Sequence, residues 1–212
     1  YPHISADNLK DIYAALSVCS ELRRSIVEDL LQFAYDYDKD KGVSAYPFSL
    51  YMWGKNLYDT RLQLYCPTAK DIEAGAKKYP QYYNFGRKEM ILAAAAYYGY
   101  EVSASDCSGS VVGELRKHKL YASSFDDTAN SLCGNGYSTE VEKAELLPAD
   151  VVGRDGHIGT YVGGGLVIEW VGGEYGCQLT HLDKRKAWSF TDKTYDTRSP
   201  WTKFRRLKKV PV

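Results

Sequence analysis

At 212 residues, 44% of them apolar and 25% charged, the chain is long enough for one domain with a full core and has the balance of an ordinary globular protein. Lys plus Arg equals Asp plus Glu at 27 each, which excludes a net field that would gather nucleic acid or a membrane surface. No apolar run approaches the ~20 residues that span a bilayer; the longest, 91–98, reads as a buried helix segment.

In chain order, Leu9, Ile12, Tyr13 and Leu16 form a helical stripe over 7–18, with Asp7 as its expected N-cap. The pattern repeats over 20–37 with Leu22, Ile26, Leu30, Phe33 and Tyr37, and Gly42 is the expected stop. Between 46 and 83 the chain is aromatic and irregular, with one short helix expected over 68–77. Helices are expected over 87–98 and 108–118, the second starting at the Asp106-Cys107 step. From about 147 the period becomes two, and strands are expected at 150–152, 157–162, 166–171, 177–182 and 203–207. Helices followed by an antiparallel sheet give an α+β fold. The basic run at 203–209 reads as a strand or tail with a solvated face, attraction to an anionic wall polymer being the alternative. The chain opens at Tyr1 in a polar stretch with no visible signal peptide, which reads as a processed or trimmed form.

Five cysteines without close spacing fit neither a disulfide framework nor a zinc site. Cys107 stands out because it opens a helix, where unpaired N–H groups and the helix dipole favour a thiolate and can hold an oxyanion. Such a nucleophile needs a base from elsewhere in the fold. Of four histidines, His3 and His118 are expected at the surface and His181 on a possible strand as a satisfied core residue. His157 heads a strand that runs into Gly163-Gly164-Gly165 and a second strand. A three-residue loop there would set Val162 opposite Leu166 and Gly159 opposite Glu169. His157 and Glu169 would then lie on one face as diagonal neighbours. An even loop would put them on opposite faces. On one face, Glu169 can fix the tautomer of the imidazole.

Asp106-Cys107-Ser108-Gly109, Leu147-Pro148-Ala149-Asp150-Val151-Val152 and His157-Ile158-Gly159-Thr160-Tyr161-Val162-Gly163 together resemble the nucleophile and histidine motifs of the NlpC/P60 family of papain-like cysteine peptidases. Tyr51-Met52-Trp53-Gly54 resembles the family's Tyr segment. The resemblance implies a papain-like fold in which N-terminal helices, one headed by Cys107, pack on a C-terminal antiparallel sheet. It divides the chain into a helical extension over 1–19 and a catalytic domain over 20–212. The family places its Tyr close before the Cys, whereas 56 positions separate Tyr51 from Cys107, so 56–100 reads as an insertion walling one side of the cleft. The competing reading gives the Tyr role to Tyr97, Tyr98 or Tyr100. Glu169 stands where the family most often has His, Asn or Gln.

By resemblance, Cys107, His157, Glu169 and Tyr51 are the catalytic set. Asp106, Ser108 and Trp53 contact substrate, the first two by holding the amino end of a stem peptide. For Asp106, plain N-capping is the competing role. The implied reaction is hydrolysis of peptidoglycan stem-peptide amides, commonly the bond between D-glutamate and a diamino acid, with no metal or organic cofactor. The expected setting is extracellular, wall-associated, or delivered by a phage or toxin system, and the chain is expected to act as a monomer. An acyltransferase using the same thioester, or a non-catalytic wall-binding module on the same fold, are the rival readings.

Overall fold

The change from helical to alternating periodicity near residue 147 marks a real division in the fold. The computed structural model describes residues 1–212. The helices are α1 (Ala6–Leu16), α2 (Glu21–Leu31), α3 (Tyr37–Asp40), α4 (Ala69–Lys78), α5 (Arg87–Tyr97), α6 (Cys107–Lys117) and α7 (Ala129–Leu132). The strands are β1 (Ser49–Tyr51), β2 (Ser103–Ser105), β3 (Ser138–Glu140), β4 (Val151–Arg154), β5 (His157–Gly163), β6 (Leu166–Val171), β7 (Gly176–His181), β8 (Lys186–Ser189), β9 (Thr194–Thr197) and β10 (Lys203–Leu207). Six strands form one antiparallel sheet in the order β3-β10-β4-β5-β6-β7. Two small sheets accompany it, a parallel β1-β2 pair and a β8-β9 hairpin. The fold is α+β, with its helices before the main run of strands. No helix is long and apolar enough to cross a membrane.

The apolar face of α6, Val111, Val112 and Leu115, packs on Ile158, Ile168 and Trp170 of β5 and β6. Ile12 and Leu16 of α1 are fully buried in the same core, so the first helix is packed against the sheet rather than apart from it. A second, smaller core lies in the region expected as an insertion, where Ile72, Ile91 and Ala95 of α4 and α5 cover Leu50 and Ala104 of the parallel pair.

Three local expectations need correction. Ser5, not Asp7, caps α1, its hydroxyl accepting from Asn8 N–H at 3.2 Å. The helix expected over 20–37 ends at Leu31, because Tyr35 pairs with the edge of β7: its N–H donates to Cys177 O and its carbonyl accepts from Leu179 N–H, both at 3.0 Å. Edge pairing thus outweighs the helical stripe at Phe33 and Tyr37. The basic run, finally, is tied to the protein more than it is solvated. Arg205 is buried and donates to Ser138 and Asn135, while Arg206 pairs with Asp150 at 2.8 Å.

Asp150 anchors the start of β4. It is fully buried and also pairs with fully buried Arg23 of α2 at 3.0 Å, whose guanidinium donates further to the carbonyls of Pro148, Val210 and Pro211. One buried arginine therefore ties α2, the approach to β4 and the C-terminus together. All five cysteines are free, Cys107, Cys133 and Cys177 being buried.

Candidate active site

β2 leads directly into Asp106 and α6, so the nucleophile candidate sits where a strand meets a helix N-terminus. Asp106 is the N-cap: Oδ1 accepts from Gly109 N–H at 2.7 Å and from the Ser108 hydroxyl at 3.1 Å. Its Oδ2 accepts from Gly54 N–H at 2.8 Å, fastening the Trp53-Gly54 turn to the head of α6. Burial raises the Asp106 pKa against these three donors. Cys107 is 4% exposed. Burial, followed by the nearby Asp106 charge, pushes its thiol up to about 12, although the Ile158 and Ser108 N–H groups pull the other way. The helix terminus alone predicts a thiolate; desolvation and a like charge outweigh it, and the resting sulfur is a thiol. That thiol donates to Gly156 O at 3.9 Å.

His157 lies one residue beyond Gly156, on β5. Its Nε2 is 2.7 Å from Glu169 Oε2. A carboxylate only accepts, so Nε2 carries the proton and Nδ1 of the neutral ring is the free base. Glu169 is fully buried and is fixed from three sides. Oε1 accepts from Thr180 Oγ1 and from Arg185 Nε, both at 2.7 Å, and Oε2 also accepts from Arg185 Nη2. Burial opposes its ionisation, but Arg185 and His157 prevail and hold its pKa down at about 2. Trp201 stacks on the imidazole, with centroids 5.5 Å apart and planes at 10°, and the Arg185 guanidinium lies 4.2 Å from the Trp201 centroid.

The register that brings His157 and Glu169 together arises differently from the sequence expectation. Gly163, not Val162, pairs with Leu166, which leaves a two-residue Gly164-Gly165 turn. Val162 is an extra residue in β5, a bulge between the Tyr161–Val167 and Gly163–Leu166 pairs. An even turn alone would put the two side chains on opposite faces; the bulge restores the parity. Gly163, Gly164 and Gly165 all have positive φ, at 100°, 60° and 72°. Gly159 faces Glu169, and a Cβ there would lie 2.7 Å from Val167 Cγ1 and 3.2 Å from Glu169 Cβ.

Tyr51 reaches the site through the parallel pair: it is the register partner of Ser105, two residues before Cys107. The long stretch between them is thus a crossover joining two adjacent parallel strands. Tyr51 and His157 line the same cavity, and burial and the Cys107 and Asp106 charges raise the phenol pKa. The alternatives lie elsewhere: Tyr97 and Tyr100 are exposed, and the Tyr98 hydroxyl donates to Tyr46 O at 3.1 Å. Trp53 stacks on Tyr82 with centroids 3.6 Å apart and lines a cavity of about 470 Å³ together with Asp106, Cys107 and Ser108. A second cavity of about 390 Å³ lies on the His157 side, and Gly156 borders both.

Sequence reasoning missed Arg185, Trp201 and Asn130. Asn130 steadies the turn before His157, its Oδ1 accepting from Gly156 N–H at 2.9 Å and its Nδ2 donating to Asp155 at 2.8 Å. The one available signal was chemical: a carboxylate inside an apolar strand such as Leu166–Val171 needs a buried cation. Among the other histidines, His3 and His118 are half-buried rather than on the surface. His3 Nε2 is 2.6 Å from Leu31 O, and His118 Nε2 is 3.0 Å from Asp29. His181 is exposed. Two groups could offer ligand atoms to a cation, Asp29 with Glu114 and His118, and Glu174 with Asp192 and Asp196. In the first, the Lys117 ammonium already lies 2.8 Å from Asp29. Neither group includes a residue of the Cys107 site.

No family model matches the chain, and no curated protein does. Among solved structures, NlpC2 from Trichomonas vaginalis is similar to it at 21% identity and a TM-score of 0.34, over 50% of this chain and 37% of that one.

Proposed function

We propose that the chain is a cysteine peptidase that hydrolyses amide bonds of peptidoglycan stem peptides through a thioester on Cys107. The observation that carries this reading is one arrangement: Cys107 at the capped head of α6, and one residue past the Gly156 carbonyl it donates to, an imidazole held by a buried Glu169–Arg185 pair. A surface histidine has no use for such a support, whereas a general base does. The choice of substrate rests on the resemblance of the Cys and His motifs to the NlpC/P60 family, and with it the D-glutamyl–diamino acid bond. On that reading 20–212 is the catalytic domain and 56–100 its insertion, and the protein works outside the cell or at the wall.

In the mechanism, the Cys107 proton passes to His157 Nδ1 as sulfur attacks the amide carbonyl, since the resting sulfur is a thiol. The positive charge that develops on the ring is met by Glu169. The Cys107 N–H, unpaired in the first turn of α6, and the Tyr51 hydroxyl hold the oxyanion. The amine departs with the proton from His157, and water then cleaves the thioester with His157 again as base. Asp106 keeps the helix head in place while Ser108 and Trp53 border the acyl fragment.

Mass spectrometry of purified peptidoglycan fragments, incubated in parallel with the protein and with Cys107→Ala, tests the reading. Cleaved stem peptides are expected from the first alone. Fragments left intact by both, across wall types, would sink it, and new amide or ester products would make the protein an acyltransferase.

A further inference from the structure

The two cavities that meet at Gly156 carry opposite charge. Asp106, Asp126 and Asp127 line the one on the Cys107 side, and no cation does. Arg154, Arg185 and Arg198 line the one on the His157 side, and no carboxylate does. The three arginines differ in what they already hold. Arg185 is committed to Glu169. Arg154, at the end of β4, and Arg198, just after β9, are half-buried, and neither guanidinium takes part in an ion pair or a side-chain hydrogen bond. The Arg198 guanidinium lies 4.8 Å over the Tyr175 ring. A guanidinium fork is built to take a carboxylate through two parallel hydrogen bonds, and two unpaired forks in one concave site form a receptor for an anion.

The chemistry says which end of a substrate would meet them. The acyl fragment is bonded to Cys107 Sγ and so lies on the acidic side. The leaving amine takes its proton from His157, so the released fragment lies on the basic side. We infer that the cavity of Arg154 and Arg198 is a subsite for a carboxylate on the released fragment, such as the free α-carboxylate of a diamino acid. This rests on the peptidase reading for the identity of the fragment, though not for the presence of an anion site. Its effect is selectivity: a stem peptide that ends in a free carboxylate at that residue is preferred to one whose carboxylate is amidated or extended.

Two stem peptides identical except for a carboxylate or a carboxamide on the leaving residue provide the test. The wild-type kcat/KM should favour the carboxylate about tenfold, the worth of one charge-assisted contact. In Arg154→Gln/Arg198→Gln, with an unchanged circular dichroism spectrum, the ratio should fall to about one. Equal rates in the wild type, or a preference that survives both substitutions, would overturn the subsite. A second readout needs no turnover. The rates of alkylation of Cys107 by iodoacetate and by iodoacetamide, followed on the Cys107 peptide by mass, are compared in the wild type and the double variant. The iodoacetate-to-iodoacetamide ratio should drop several-fold when the arginines are removed. If neither peptide is cleaved, the peptidase reading fails by itself; an unchanged alkylation ratio is what rejects the anion site.

Discussion

Arg185 and Glu169 meet beneath the imidazole as a buried pair: Nε donates to Oε1 at 2.7 Å, and Oε2 accepts from both Nη2 and His157 Nε2. On the proposed reading the arginine is a positioning residue, supporting the imidazole through Glu169 and through the Trp201 ring it lies over. Arg185→Gln should lower kcat about a hundredfold by letting the imidazole drift from its working position, with KM little changed. It should also move the acid limb of the kcat profile to higher pH. Without the guanidinium, only His157 opposes the effect of burial, so the Glu169 pKa climbs from about 2 and the carboxylate is lost earlier on acidification. A profile that keeps its acid limb in place would detach Arg185 from the base.

The same pair makes stability depend on pH in a defined window. Glu169 titrates at about 2 in the folded protein against an ordinary value of 4.5, so its contribution is complete above 4.5 and disappears as the pH falls toward 2. Denaturant unfolding of the wild type and of Glu169→Gln should therefore show a gap that is constant near neutrality and shrinks between pH 4.5 and 2. A gap that widens on acidification would reverse the sign of the assignment.

The His157–Glu169 pairing was legible from sequence because strand parity is a strong constraint, even though the turn was read one residue too long. The Val162 bulge compensated for that missing residue. Such a bulge leaves no periodic trace, because a single unpaired residue does not change the alternation on either side of it enough to be read. Arg185 and Trp201 were not legible, because both stand in irregular chain on either side of the β8-β9 hairpin and reach the site through tertiary folding alone. The strands β1 and β2 were missed for another reason: at three residues each they are too short to show a period. Their pairing is what brings Tyr51 beside the strand that leads to Cys107, a closeness the 56 intervening positions conceal.

Arg23 offers a test of the scaffold away from the chemistry. Its guanidinium is fully buried and joins α2 to Asp150 and to three carbonyls. Arg23→Ala removes one partner from a buried pair and leaves those acceptors without it, which should cost about 3–5 kcal/mol in urea unfolding. Arg206 still faces Asp150 at 2.8 Å, so the protein should remain folded at low temperature. A loss below about 1 kcal/mol, the range of surface pairs, would show that the link is not structural.

The resting state of Cys107 yields the last test. A thiol pushed up to about 12 by burial and by the Asp106 charge should react with iodoacetamide at a rate that keeps rising through pH 9, about tenfold per pH unit, without a plateau. Asp106→Asn keeps a capping oxygen for Gly109 N–H and removes the like charge, so alkylation at a fixed pH of about 8 should become faster. These two results together would mean that the proton leaves sulfur only as His157 takes it during attack, which makes the base rather than the helix terminus the activating group. A plateau near neutral pH in the wild type would indicate a thiolate–imidazolium pair formed before substrate arrives, and the helix N-terminus would then have outweighed the burial of the sulfur.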